Sequence, residues 1–114
     1  PELDEDTFGE ISRAFSSREN GYLVNGLDSR ENYYMKRVYL ACVRSIDLLT
    51  SLPEWDGKNV IVQGGSQGGA LALITAGLDK RVTACVANHP ALSDMAGYKA
   101  GRAGGYPPFF LRIR

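Results

Sequence analysis

The sequence predicts an α/β fold: a long helix, then strand, tight turn, helix and strand of a parallel sheet. Three observations carry this reading. Residues 59–63, NVIVQ, hold Val60, Ile61 and Val62 in one unbroken apolar run, which suits a parallel strand covered on both faces. A knot of glycines and one serine, GGSQGG, leads directly into helix formers over 67–78. Beyond the linker Asp79-Lys80-Arg81, residues 82–88 return to strand character. Strand, helix, strand at this spacing is a βαβ unit, for which the crossover is expected to be right-handed.

The elements follow in order. Residues 1–27 show no sustained period and read as a loop-rich lead-in, with one short helix over 8–15. GYLVNG, residues 21–26, is a short apolar run between glycines and reads as a turn. Residues 30–52 form the long helix. Asp28 and Glu31 have the spacing of a capping box. Tyr34, Val38, Ala41, Cys42, Ile46, Leu49 and Leu52 recur on one face, while Lys36, Arg37, Arg44 and Asp47 mostly take the other. Pro53 stops the helix, and PEWDG then makes a turn, with Asp56-Gly57 as its signal and Trp55 capping it. The helix over 67–78 is apolar all round, which calls for burial on nearly every side. The partition is therefore a lead-in over 1–27, a helix plus βαβ unit over 28–97, and an irregular Gly- and Pro-rich tail over 98–114.

Composition narrows the function. The 114 residues suffice for one domain at most. Thirteen basic and thirteen acidic residues cancel, so neither nucleic acid nor an anionic membrane is favoured as a partner. No apolar run approaches the roughly 20 residues of a membrane span, and no basic n-region or apolar h-region of a signal peptide is visible. Cys42 and Cys85 make no C-x-x-C pair and read as buried free thiols. Neither a metal site nor a cofactor site is expected.

The chemistry concentrates at Gly64-Gly65-Ser66-Gln67-Gly68, which fits the G-x-S-x-G nucleophile elbow. A strand running straight into a helix forces a tight turn with Ser66 at its apex. Small residues are needed two positions to either side, where the strand and helix backbones pass; Gly64 and Gly68 meet that need, and Gly65 and Gly69 relax it further. The hydroxyl of Ser66 then stands at the C-terminal edge of the sheet as a candidate nucleophile. The backbone N–H of Gln67, at the helix N-terminus, is placed to receive an oxyanion. The same glycines could simply make a tight turn or cradle phosphate. However, the spacing is not G-x-G-x-x-G, and no Lys-Ser/Thr ending of a P-loop follows.

With the elbow set behind GYLVNGLDSRENYYMKRVYLACVRSIDLL, the chain resembles the acetyl xylan esterase and cephalosporin C deacetylase family of carbohydrate esterases, which are α/β-hydrolases. Tyr33-Tyr34, Arg37-Val38, Arg44 and GGSQGG carry the resemblance, which covers residues 21–94. It implies a fragment of an α/β-hydrolase fold and a serine esterase that removes acetyl groups from sugar hydroxyls through an acyl-enzyme on Ser66. The substrate would be an acetylated sugar or small ester, and a homo-oligomer is possible by analogy. It also implies a second oxyanion donor from an earlier strand's loop, and a catalytic Asp and His after later strands. None of these is in this sequence.

Could the chain supply its own triad? Only Asp79, Asp94 and His89 follow Ser66 as acids or base. Asp79 lies a whole helix away, about 20 Å at 1.5 Å per residue, so it belongs at the opposite edge. His89 follows a parallel strand, so it emerges at the edge of Ser66 and is a candidate for lining the site. Tyr33, Tyr34 and the arginines of the long helix read as packing and a solvated face. The expectation is thus a segment of a serine carbohydrate esterase whose Asp and His are supplied elsewhere, by other sequence or a complementing chain segment. Another α/β-hydrolase (a peptidase or lipid esterase) and a noncatalytic domain keeping the elbow as packing are the alternatives.

Overall fold

The computed structural model of the chain describes residues 22–102, 104 and 105. The expected helix over 8–15 and most of the tail lie outside the described residues. Two compact units divide after Val38.

In the first unit, Tyr22–Val24 form a single 3-10 turn. The chain then folds on itself: Ser29 N–H donates to the Gly26 carbonyl (3.0 Å), and the Asn32 and Tyr33 amides both donate to the Ser29 carbonyl (3.1 and 2.9 Å). Gly26 has φ 69°, and a methyl group there would stand 2.1 Å from the Asn32 carbonyl oxygen, so only glycine closes this turn. Tyr34 meets the ring of Tyr22 edge-on at 5.7 Å, the packing role expected of it.

The first α-helix, α1, runs Tyr34–Ser51. It begins four residues later than the predicted residue 30. The Asp28/Glu31 spacing makes no capping box: the 26–33 turn consumes the backbone groups, the Tyr34 amide donates to the Asn25 carbonyl (2.8 Å), and Glu31 pairs with Lys36. Serine and asparagine favour such local turns over a helical first turn. α1 ends at Ser51, one residue short of the predicted 52, with Pro53 following as the expected stop. The following turn is held by Asp56, whose Oδ1 accepts from the amides of Lys58 and Asn59 (2.8 Å each). Trp55 Nε1 donates to the Asn59 carbonyl (3.0 Å), capping the turn as read from the sequence.

Strand β1 spans Ile61–Gly65, helix α2 Gln67–Leu78 and strand β2 Ala84–Asn88. The helix has the predicted bounds. Both strands start two residues late, and β1 runs on through the two glycines to end against the serine. The strands pair in parallel from Ile61↔Ala84 to Gly65↔Asn88. Just below the ladder the Val60 carbonyl accepts from the Thr83 amide (2.8 Å), and the Val60 side chain is buried.

One layer is well formed and the other is open. Gly69, Ala70, Ala72 and Thr75 bury one side of α2. Ile61 is 65% exposed and Val86 57%, on a sheet face that no described element covers. Leu73 and Leu78 are likewise exposed on α2. The expectations of a strand covered on both faces and a helix buried all round are therefore not met within the described residues. A helix against one side of a two-stranded sheet leaves the other side bare. On α1 Ile46 is buried, whereas Leu49 and, just past the helix end, Leu52, both predicted for the buried face, are 42% and 44% exposed. A cavity of about 330 Å³ lies among Cys42 and Ile46 of α1, Val62 of β1, and Leu71 and Thr75 of α2. Both cysteines are free and half-buried rather than buried.

Where packing is thin, charge fastens α1. The Arg81 guanidinium reaches Asp79 (2.5 Å), Asp47 (2.6 Å) and the Thr50 hydroxyl (3.1 Å). Asp79 is buried and also accepts from the Arg81 amide (2.9 Å). These bonds from Arg81 hold the Asp79 carboxyl down at about 2. A folded-state pKa below the unfolded one gives stability that is complete above roughly pH 4 and is lost as pH falls toward 2. Acid titration followed by circular dichroism should show this loss between pH 4 and 2. The chain carrying Asp79→Asn should be less stable at neutral pH, with a shallower dependence across that window.

Candidate active site

The site is built where β1 ends. At Gly64 a methyl group would stand 2.3 Å from both the carbonyl carbon and the oxygen of Gly68, so strand and helix backbones touch here. At Gly69 it would stand 2.9 Å from the Asn88 carbonyl oxygen and 3.2 Å from Pro90 Cα. Gly68 itself faces open space, and Gly65 has only an ordinary contact at 3.8 Å. Two close approaches are therefore present, but the second falls at Gly69 and not at the predicted Gly68. It is the backbone of residue 68, not its missing side chain, that excludes a Cβ from residue 64.

Ser66 is left as the only residue between β1 and α2. It takes φ 54°, ψ −119°, a conformation that costs a non-glycine residue energy. Its side chain is exposed and makes no hydrogen bond with any described group. Gln67 is the first residue of α2, so its amide stands at the positive end of the helix dipole. The Ser66 carbonyl accepts from the Ala70 amide (3.1 Å), starting the helix.

Strand β2 delivers a second loop to the same edge. Gly65↔Asn88 is the last pair of the ladder, so Ser66 and His89 are the first residues beyond it on neighbouring strands, which lie about 5 Å apart. Both have left-handed φ, 54° and 44°. His89 is exposed, as its position after β2 implied, and its imidazole has no hydrogen-bond partner among the described residues. The backbone around it is engaged: the Asn88 carbonyl accepts from the Ser66 amide (2.9 Å), and the Ala91 amide donates to the Ser66 carbonyl (2.9 Å). This clasp was not read from the sequence; the His-Pro pair after a strand is its only trace there.

The two carboxylates are placed elsewhere. Asp79 sits beyond the far end of α2 with Arg81, at the edge opposite Ser66. Asp94 forms a two-pronged pair with Arg102 (3.0 and 2.7 Å), which holds its carboxyl below the usual range. That pair closes a loop with the 3-10 turn Gly97–Ala100. No group of three or more metal-ligating side chains occurs among the described residues.

A strand, a one-residue turn at positive φ bearing a serine, and a helix packed on the sheet through small residues define a segment of an α/β-hydrolase. The chain belongs to the acetyl xylan esterase family: the family's model, acetyl xylan esterase (AXE1), matches residues 4–99. It is 75% identical over 109 residues to the acetyl esterase Axe7A of Xylanibacter ruminicola, a match covering 96% of this chain and 25% of that protein. Among solved structures it is similar to the acetyl xylan esterase from Paenibacillus sp. R4, with 39% identity and a TM-score of 0.68, over 75% of this chain and 27% of that one. The chain thus spans about a quarter of the length of these relatives.

The glycines divide by their surroundings. Gly64→Ala and Gly69→Ala should each destabilise the chain by at least the upper part of the roughly 1–3 kcal/mol range for overpacking. Gly68→Ala, a helical position with room, should hold or raise the melting temperature through the better helix propensity of alanine. Thermal melts of the three variants separate the two kinds of glycine.

Proposed function

We propose that this chain is the nucleophile-bearing segment of a serine esterase that removes acetyl groups from carbohydrate, of the acetylated xylan or xylo-oligosaccharide type. The observation that carries the reading is Ser66 at φ 54°, exposed at the sheet edge with the Gln67 amide next to it at the head of α2. The substrate class follows from the names of the relatives and from the family.

In this reading the Ser66 Oγ attacks the carbonyl carbon of the acetyl ester. The carbonyl oxygen takes negative charge and is received by the Gln67 N–H, aided by the dipole of α2. Collapse of the tetrahedral intermediate expels the sugar alkoxide, which takes a proton, and leaves an acetyl group on Ser66; water then releases acetate. Ser66 needs a base to accept its proton and an acid to orient that base. Asp79 and Asp94 are bound to arginines, and among the described residues no carboxylate pairs with His89, the sole histidine of the sequence. The base and acid are therefore assigned to the part of the relatives' length that this chain does not span.

The test uses both forms. Placed in the corresponding stretch of the Xylanibacter ruminicola relative, this segment should release acetate from acetylated xylo-oligosaccharides. Ser66→Ala should lower kcat by about 10⁴-fold or more. Intact mass after exposure to a fluorophosphonate should show one adduct, absent in that variant. By itself the 114-residue chain should turn over acetate esters slowly or not at all. Rapid turnover by the chain alone, abolished by both Ser66→Ala and His89→Ala, would assign the base to His89 instead. Turnover of peptides or long-chain esters in place of acetylated sugar would move the substrate class.

A further inference from the structure

We propose that His89 is a positioning residue that acts on Ser66 through its backbone, and that residues 88–91 form a clasp fixing the conformation of the serine. The inference rests on the reading of Ser66 as nucleophile and adds what holds that nucleophile in place.

Ser66 has two peptide groups, and the chain leaving β2 bonds both. Its N–H donates to the Asn88 carbonyl and its carbonyl accepts from the Ala91 amide, each at 2.9 Å. Only His89 and Pro90 separate the two partners, so the chain must reverse immediately after Asn88. His89 makes that reversal at φ 44°. Two influences oppose this conformation: its Cβ disfavours positive φ, and Pro90 pushes the preceding residue toward extended backbone. The surrounding structure enforces it nonetheless. The bonds to Ser66 hold the loop on one side, and Pro90 lies against Gly69 in the first turn of α2, where a methyl group would stand 3.2 Å from Pro90 Cα. Two residues of positive φ thus stand side by side at the sheet edge, and the bonds from Ser66 to Asn88 and Ala91, which flank the His89-Pro90 corner, tie one to the other. Because φ and ψ of Ser66 set the direction of Oγ and of the next amide, loosening residue 89 misaims both. The imidazole is exposed and bonds no described group, so the effect runs through the main chain.

The experiment replaces His89 with Gly, Asn, Ala and Val in the full-length chimera with the Xylanibacter ruminicola relative. It reads kcat and KM on 4-nitrophenyl acetate, the pH–rate profile, and the rate of fluorophosphonate labelling. Tolerance of positive φ ranks Gly and Asn above Ala, and Ala above Val. The proposal expects kcat and labelling rate to fall together in that order, with Val down by about 10- to 100-fold, the scale of a small misplacement of a reacting group. KM should stay within about twofold across the series, and the inflections of the profile should not move. If Val is lost to misfolding, the order of Gly and Asn against Ala decides. Gly and Asn as slow as Ala or Val, or a profile that loses an inflection in every variant, would place the role in the imidazole and overturn the proposal. Equal rates for all variants would overturn it as well. Ser66→Ala in parallel keeps the underlying reading separate: activity or labelling that survives there defeats the nucleophile assignment, whatever the His89 series shows.

Discussion

The constraint on which the rest depends is the contact between two backbones at Gly64 and Gly68. A strand that touches the helix it enters cannot spread its connection over several residues. One residue must make the whole turn, and at that position φ becomes positive. Everything chemical about the segment follows from this. The serine hydroxyl is lifted clear of the sheet, the next amide becomes the first of a helix, and the neighbouring strand's exit loop finds the serine's peptide groups within reach. The recorded bonds at this turn run from backbone to backbone.

The two ends of the sheet are fastened by different means. At the Ser66 edge the bonds are backbone to backbone and neutral. At the opposite edge Arg81 gathers Asp79, Asp47 and Thr50, joining α1 to the linker before β2. Between the two edges the hydrophobic layer is half complete. Burying a side chain such as Ile61 or Val86 is worth on the order of 1.5–3 kcal/mol, and neither gains it within the described residues.

The elbow was the most legible part of the chain, for a physical reason. A β run, glycines, a serine and helix formers with no spare residue admit one local geometry, so α2 was predicted with its observed bounds. The start of α1 was misread because Asp28 and Glu31 have cap spacing, whereas Gly26 and Ser29 had already committed the backbone to a turn. Gly68 was chosen over Gly69 by symmetry about the serine, but the neighbour that crowds Gly69 is the exit of β2, twenty residues away in sequence. The clasp at Ala91, the Arg81 cluster and the Asp94–Arg102 pair share that character. Each depends on where a distant segment returns, and local pattern carries little of that information. The family resemblance, by contrast, was readable from short local strings: Tyr33-Tyr34, Arg37-Val38, Arg44 and GGSQGG.

The Asn88 and Ala91 bonds to Ser66 also bear on the order of events in folding. A parallel partner can arrive only after the intervening helix has formed and folded back, which makes β1–β2 pairing a slow, non-local step. Until it is complete, nothing on the far side of Ser66 opposes its relaxation to a commoner backbone conformation. In the proposed reading, the serine therefore takes up its nucleophilic geometry late, when the second strand docks. The conformation of Ser66 thus marks the completion of this part of the chain.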